Sequence, residues 1–152
     1  MVRDLSSEEM VAFVKRERFA HLGCHANGET YVVPISFVFD GTRIIGQTKP
    51  GRKIDMMRAN PHVCVQLDVT KNIVDWTSVI LWARFEELSG TAAAEAMGVL
   101  IDHLSPYLEE LGPLSRSLRD VTPHEPNGTP QIDIVYCLHV ERMTGRRETP
   151  DG

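Results

Sequence analysis

From Phe19 onward, apolar and polar residues mostly alternate with a period of two, and the alternation is broken by stretches whose apolar residues recur at helical spacing. Ser6 and Glu9 have the spacing of a capping box, and Met10, Phe13 and Val14 follow on one face, which predicts a helix over residues 6–17. "FAHLGC" then reads as a strand, Asn27-Gly28 as a tight turn and "TYVVPISFVF" as one long strand. "DGT" turns the chain into a third strand, "RIIGQT", and Pro50-Gly51 turns it again into a helix marked by Ile54 and Met57. That helix must end near Asn60, because Pro61 pushes the preceding residue out of helical geometry.

Two further strands follow. "VCVQLDV" puts Val63, Val65 and Leu67 on one face, and "SVILWARFEEL" puts Val79, Leu81, Ala83 and Phe85 inward. The opposite face of the second carries Ile80 and Trp82, as expected if it meets a ligand or a subunit. "TAAAEAMGVLIDHL" predicts a helix capped by Thr91, and Ser105-Pro106 predicts the start of a separate short helix ending at Gly112. Residues 121–131 hold three prolines and predict a loop. A last strand, "IDIVYCLHV", turns Ile132, Ile134, Tyr136, Leu138 and Val140 inward. Six strands joined mostly by tight turns predict a mainly β fold with flanking helices, an antiparallel sheet closed into a small barrel. Such a barrel has little interior room, so a ligand of any size belongs on its outside, where a second barrel supplies the missing wall.

The length of 152 residues suits one domain, and 42% hydrophobic residues supply its core. A net charge of -5 argues against general affinity for nucleic acid or acidic membranes, so any anion must be held locally. Cys24, Cys64 and Cys137 are scattered and odd in number, which predicts no disulfide framework and a reducing, cytoplasmic setting. The start "MVRDLSSEEM" has acids where a signal peptide needs apolar residues.

Three features carry candidate chemistry. At the corner before the second helix, Arg52 and Lys53 add cations to a helix N-terminus, Gly51 permits close approach, and Gln47 and Thr48 offer donors; together these suit a phosphate. Pro34 interrupts a strand and predicts a bulge or an edge there, freeing backbone around Ile35 and Ser36. Trp76 and Trp82 are the only tryptophans, with Trp82 read as a core or interface anchor and Trp76 as a cover for a pocket mouth or a stacking surface for a partner chain. "HLGCH" contains metal-ligand types, but on a strand His21 and His25 share a face from which Cys24 points away, so no metal site is expected there.

The order "HLGCHANGETYVVPISFVFDGTRIIGQTKPGRKIDMMRANPHVCVQLD", then "WTSVILWARFEEL" and "VERMTGRRE", resembles the pyridoxamine 5'-phosphate oxidase-like superfamily of FMN-binding split β-barrels. It is most similar to the branch of flavin-nucleotide-binding proteins that includes the nitroimidazole reductases. The resemblance is closest over residues 18–90 and looser over 131–147. It implies a homodimer with FMN at the subunit interface. Val33, Pro34, Ile35 and Ser36 would run along the flavin ring and ribityl chain, with Gln47, Thr48, Arg52 and Lys53 at the ribityl and phosphate end. Trp76 and Ser78 would reach the flavin from the other side, often from the partner chain. Related split barrels bind haem or the deazaflavin F420 instead. The last strand lacks the tryptophan and Arg-x-His pair of the vitamin B6 oxidases, and Gly46 stands where the nitroimidazole reductases carry a histidine. The implied activity is therefore FMN-dependent oxidoreduction of some other small molecule, with NAD(P)H as a possible donor, or non-catalytic flavin carriage or sensing.

Overall fold

The computed structural model describes residues 1–110 and 133–151. Its elements run β1 (Val2–Asp4), α1 (Ser7–Arg16), β2 (Phe19–Ala26), β3 (Glu29–Ser36), β4 (Val38–Phe39), β5 (Arg43–Thr48), α2 (Arg52–Ala59), β6 (His62–Asn72), β7 (Asp75–Leu88), α3 (Gly90–Glu110) and β8 (Ile134–Glu148). All pairings are antiparallel, in the order β3-β2-β6-β7-β8-β5-β4, with β1 on the end of β8. Because β4 continues β3 across the single residue Phe37, the two ends of this order are one bent strand and the sheet closes on itself.

Eight strands therefore stand where six were expected. One addition is β1, three residues zipped against Arg146, Arg147 and Glu148. The other comes from the expected strand over 30–39, which divides at Phe37, whose N–H bonds to the Arg18 carbonyl at 2.9 Å. The side-chain period survives the division, with Ile35, Phe37 and Phe39 all in the main core. Only the ladder partner changes, from β2 to β5.

The turn at Asn27 and Gly28 has φ of 52° and 77°, the paired left-handed conformation that suits a two-residue hairpin. The inward residues expected on β6 and β7 are all buried, with Leu81, Val79 and Val65 fully so. Tyr136 and Leu138 of β8 also enter this core, with Ile134 and Val140 packed against it. The other face of β8 is covered as well. Val135 and Cys137 join Val38, Ile45, Ala96 and Leu100 in a second cluster under α3.

The two helices expected around Ser105-Pro106 are one, and it starts at Gly90 rather than being capped by Thr91. Pro106 costs the helix one backbone hydrogen bond. Anchors on both sides of it keep the axis continuous: the Arg18 Nε donates to the His103 carbonyl at 3.1 Å, and the Tyr107 ring meets Phe19 edge-on at 5.1 Å. The expected end at Gly112, the loop over 121–131 and Ile132 lie outside the described residues. Among those described, no helix is long and apolar enough to cross a membrane.

The capping box of α1 forms as the spacing predicts, with the Glu9 N–H on Ser6 Oγ at 3.2 Å and the Ser6 N–H on Glu9 Oε2 at 2.8 Å. Arg3 adds a two-pronged bond to the same carboxylate at 2.9 and 3.0 Å. The Arg3 guanidinium, then the Ser6 N–H, hold the Glu9 pKa down from 4.5 to about 2. A depressed carboxylate stabilises the fold above its ordinary pKa, and that contribution is lost as pH falls through about 2. An NMR titration of Glu9 is expected to show its midpoint near 2; a midpoint at the ordinary value would mean that the Arg3 contact does not persist in solution.

Candidate functional site

The corner between β5 and α2 is built by a strand end and an uncapped helix. Gln47 and Thr48 are half-buried at the end of β5, opposite Val135 and Ile134 of β8. The helix begins at Arg52 with Gly51 as its N-cap, which has no side chain to accept the first-turn N–H groups. Ile54, Met56 and Met57 sink the opposite face of α2 into the core, fixing that N-terminus in place.

The two corner cations are in different states. Arg52 is exposed, pairs with Glu29 and stacks over the Tyr31 ring, 4.9 Å from its centroid. This links the corner to the start of β3. Lys53 is half-buried, and among the described residues no carboxylate pairs with it. Burial lowers its ammonium pKa, an effect the nearby Cys24 opposes. Cys24 is itself pushed up to about 11, first by burial.

On β3, Pro34 and Ser36 are exposed, Val33 is half-buried and Ile35 enters the core. Ile35 therefore has only backbone to offer a ligand. The expectation of an edge at Pro34 holds: β3 is the terminal strand of the pairing order, so one side of it needs no ladder donor.

Trp76 and Ser78 stand at the start of β7. The Trp76 Nε1 donates to Glu148 Oε2 at 2.8 Å, and Gln66 Nε2 donates to Ser78 Oγ at 3.1 Å. Both line a cavity of about 660 Å³ bounded by Leu5, Met10, Met143 and Gly145. The corner residues do not line it. The register row Pro34, His21, Gln66, Ile80 puts these residues on the outer face of one sheet, but β2 and β6 intervene between β3 and β7. At about 4.8 Å per strand, the two groups lie about 14 Å apart along the sheet. One chain thus brings the corner and β3 together and leaves Trp76 and Ser78 apart from them.

That outer face is more apolar than solvent alone would favour. Phe19 and Val32 are 52% and 61% exposed, and Ile80 and Trp82 are half-buried farther across the same face. The Arg142 guanidinium lies 3.8 Å over the Trp82 ring. Glu29, Tyr31 and Gln66 were missed in the sequence. Gln66 had a signal, a polar residue on the outward phase of an apolar strand; the Arg52 contacts to Glu29 and Tyr31 had none. In "HLGCH", Cys24 is buried while His21 and His25 are exposed, as the strand phase requires.

Comparison with known proteins gives the fold its relatives. An uncharacterized protein of Rhizobium meliloti is 32% identical over 149 residues, covering 95% of this chain and 94% of its own. The crystal structure of an FAD-binding protein from Mesorhizobium loti, 25% identical, superposes with a TM-score of 0.76 over 99% of this chain and 98% of that one. An FAD-binding protein from Mycobacterium smegmatis shares the fold at 18% identity, with a TM-score of 0.64 over 97% and 98% of the two chains. The sequence profile described as pyridoxamine 5'-phosphate oxidase matches residues 6–147, and with that match the chain belongs to the pyridoxamine 5'-phosphate oxidase family.

Proposed function

We propose that the protein binds a flavin nucleotide, FMN, at the β5–α2 corner and uses it to pass electrons to a small molecule. The observation that carries this reading is Lys53, a half-buried ammonium without a carboxylate partner among the described residues, set at a helix N-terminus with no side-chain cap. A phosphate there would meet both the ammonium and the free N–H groups. Arg52 joins by sharing itself between Glu29 and the phosphate. Gln47 and Thr48 are the donors for the ribityl chain, and the exposed side of Val33, Pro34, Ile35 and Ser36 is the platform for the ring. The flavin binding named for the Mesorhizobium loti protein supports the same class of ligand.

The separation of Trp76 and Ser78 from the corner favours a homodimer, in which these two residues of a second copy close each site. Exposed Phe19 and Val32 and half-buried Ile80 and Trp82 provide apolar surface for that contact. Bound flavin supplies two-electron transfer at its N5 position, with NAD(P)H as the donor in this reading. The chain's own part is to bind, orient and shield, which requires no acid or base at the ring. The three unpaired thiols support a reducing, cytoplasmic setting.

The test is an absorbance spectrum of the purified protein, followed by chromatography of whatever heat releases. FMN in about equal ratio to chains is expected. FAD in its place would keep the corner but change the ligand, whereas F420 or haem, or colourless protein that binds no added flavin, would overturn the reading. Stoichiometric FMN without NAD(P)H turnover toward any acceptor would instead establish a flavin carrier or sensor.

A further inference from the structure

Cys137 lies in the middle of β8 with no exposed surface, on the face toward α3, and has no part in flavin binding as proposed above. Its register partner on β7 is Glu86. His139, two residues along β8, projects from the same side. Cys137 Sγ is 3.4 Å from His139 Nε2 and 3.8 Å from Glu86 Oε1, and Nε2 is 3.6 Å from Oε1. Among the described residues this is the one group of three metal-ligand types whose donor atoms all lie within 4.8 Å of one another.

These three separations can be compared with a coordination sphere. Zinc bonds of about 2.3 Å to sulfur and about 2.1 Å to nitrogen and oxygen, at tetrahedral angles, give edges of about 3.6 Å for both S···N and S···O and about 3.4 Å for N···O. The observed triangle departs from these by about 0.2 Å or less on every side. We propose that Glu86, Cys137 and His139 form a three-ligand site for a divalent, zinc-like cation, with the fourth position open to solvent or a small ligand.

The charges and the approach suit such an ion. A Cys137 thiolate and a Glu86 carboxylate balance a dication, with neutral imidazole as the third ligand. Arg43, whose guanidinium lies beside Cys137, is already matched by Asp40 through an Nε–Oδ2 contact of 2.9 Å. Arg84, the register neighbour of His139 on β7, is exposed and leaves one positive charge at the rim. Burial, then Glu86, raises the Cys137 pKa, with Arg43 opposing, so the metal-free form is the thiol. Binding replaces the S–H bond by an S–metal bond and releases that proton to solvent, with no change of oxidation state. His139 and Glu86 are 36% and 50% exposed and form the open side, while Cys137 closes the bottom. The ladder between β7 and β8 fixes all three without a flexible loop.

The test is zinc titration of chelator-stripped, flavin-containing protein by calorimetry, with cobalt as a spectroscopic probe. One zinc per chain is expected, together with a thiolate-to-cobalt charge-transfer band in the near ultraviolet. Glu86→Gln and His139→Gln, both at half-exposed positions, should each weaken zinc at least about tenfold while leaving flavin content unchanged. Cys137→Ser should abolish the cobalt band, and Cys24→Ser should keep it. The proposal is overturned if reduced protein takes up no stoichiometric zinc at micromolar concentration. It is equally overturned if Glu86→Gln and His139→Gln bind zinc as tightly as the parent, which would assign the trio to hydrogen bonding alone.

Discussion

Lys53→Met is expected to weaken FMN binding by about 10- to 150-fold, the loss that follows from removing one hydrogen bond to a charged group worth about 1.5–3 kcal/mol. The fold should survive, because methionine fills a similar half-buried volume and relieves the cost of burying an ammonium. Arg52→Met is expected to do less, since Arg52 is exposed and already engaged by Glu29 and Tyr31. Flavin fluorescence titration of both variants, with thermal unfolding as the control, reads the difference. If Lys53→Met binds FMN as the parent does, the phosphate is not at this corner, whatever flavin the protein carries.

Gly46→Ala is expected to destabilise the protein by about 1–3 kcal/mol, the usual cost of forcing extra volume into a packed core. Gly46 faces Tyr136 across β5 and β8, and a Cβ there would overlap the phenol oxygen and the ring carbon that bears it. Tyr136 is the largest fully buried side chain and packs against Phe85 at 6.0 Å between centroids, so it has little room to give way. Burial raises its hydroxyl pKa well above the ordinary value, which keeps it neutral at the crowded position. Denaturant unfolding of Gly46→Ala, of Tyr136→Leu and of the double variant should reveal a favourable coupling, because leucine removes the overlapping atoms. Additive losses would mean that the Gly46 site relaxes without involving Tyr136.

Much of the architecture was legible because it follows from local rules. The α1 capping box, the Asn27-Gly28 hairpin and the inward phases of β6 and β7 depend on residues near one another in sequence. So did the ordered motifs that led to the family. The corner was legible for the same reason: Gly51, Arg52 and Lys53 are adjacent, and helix geometry dictates what their N–H groups lack.

What local rules could not supply was which strand meets which. Every second residue from Tyr31 to Phe39 is apolar, so nothing in that inward phase marks Phe37 as the place where the ladder passes from β2 to β5. Ser105-Pro106 suits either a helix start or a helix interior, and only the docking of His103 and Tyr107 onto Arg18 and Phe19 decides for one helix. Arg52 and Lys53 look alike in sequence, yet Glu29, at the start of β3, pairs with one, and among the described residues no carboxylate pairs with the other. Glu86 and Cys137 are 51 positions apart and become neighbours only through the register of β7 and β8. Periodicity and turn chemistry therefore determined the elements and their buried faces, because those depend on short-range geometry. Closure of the sheet decided the pairing of charges and the convergence of ligands, because those depend on contacts between segments that no local pattern records.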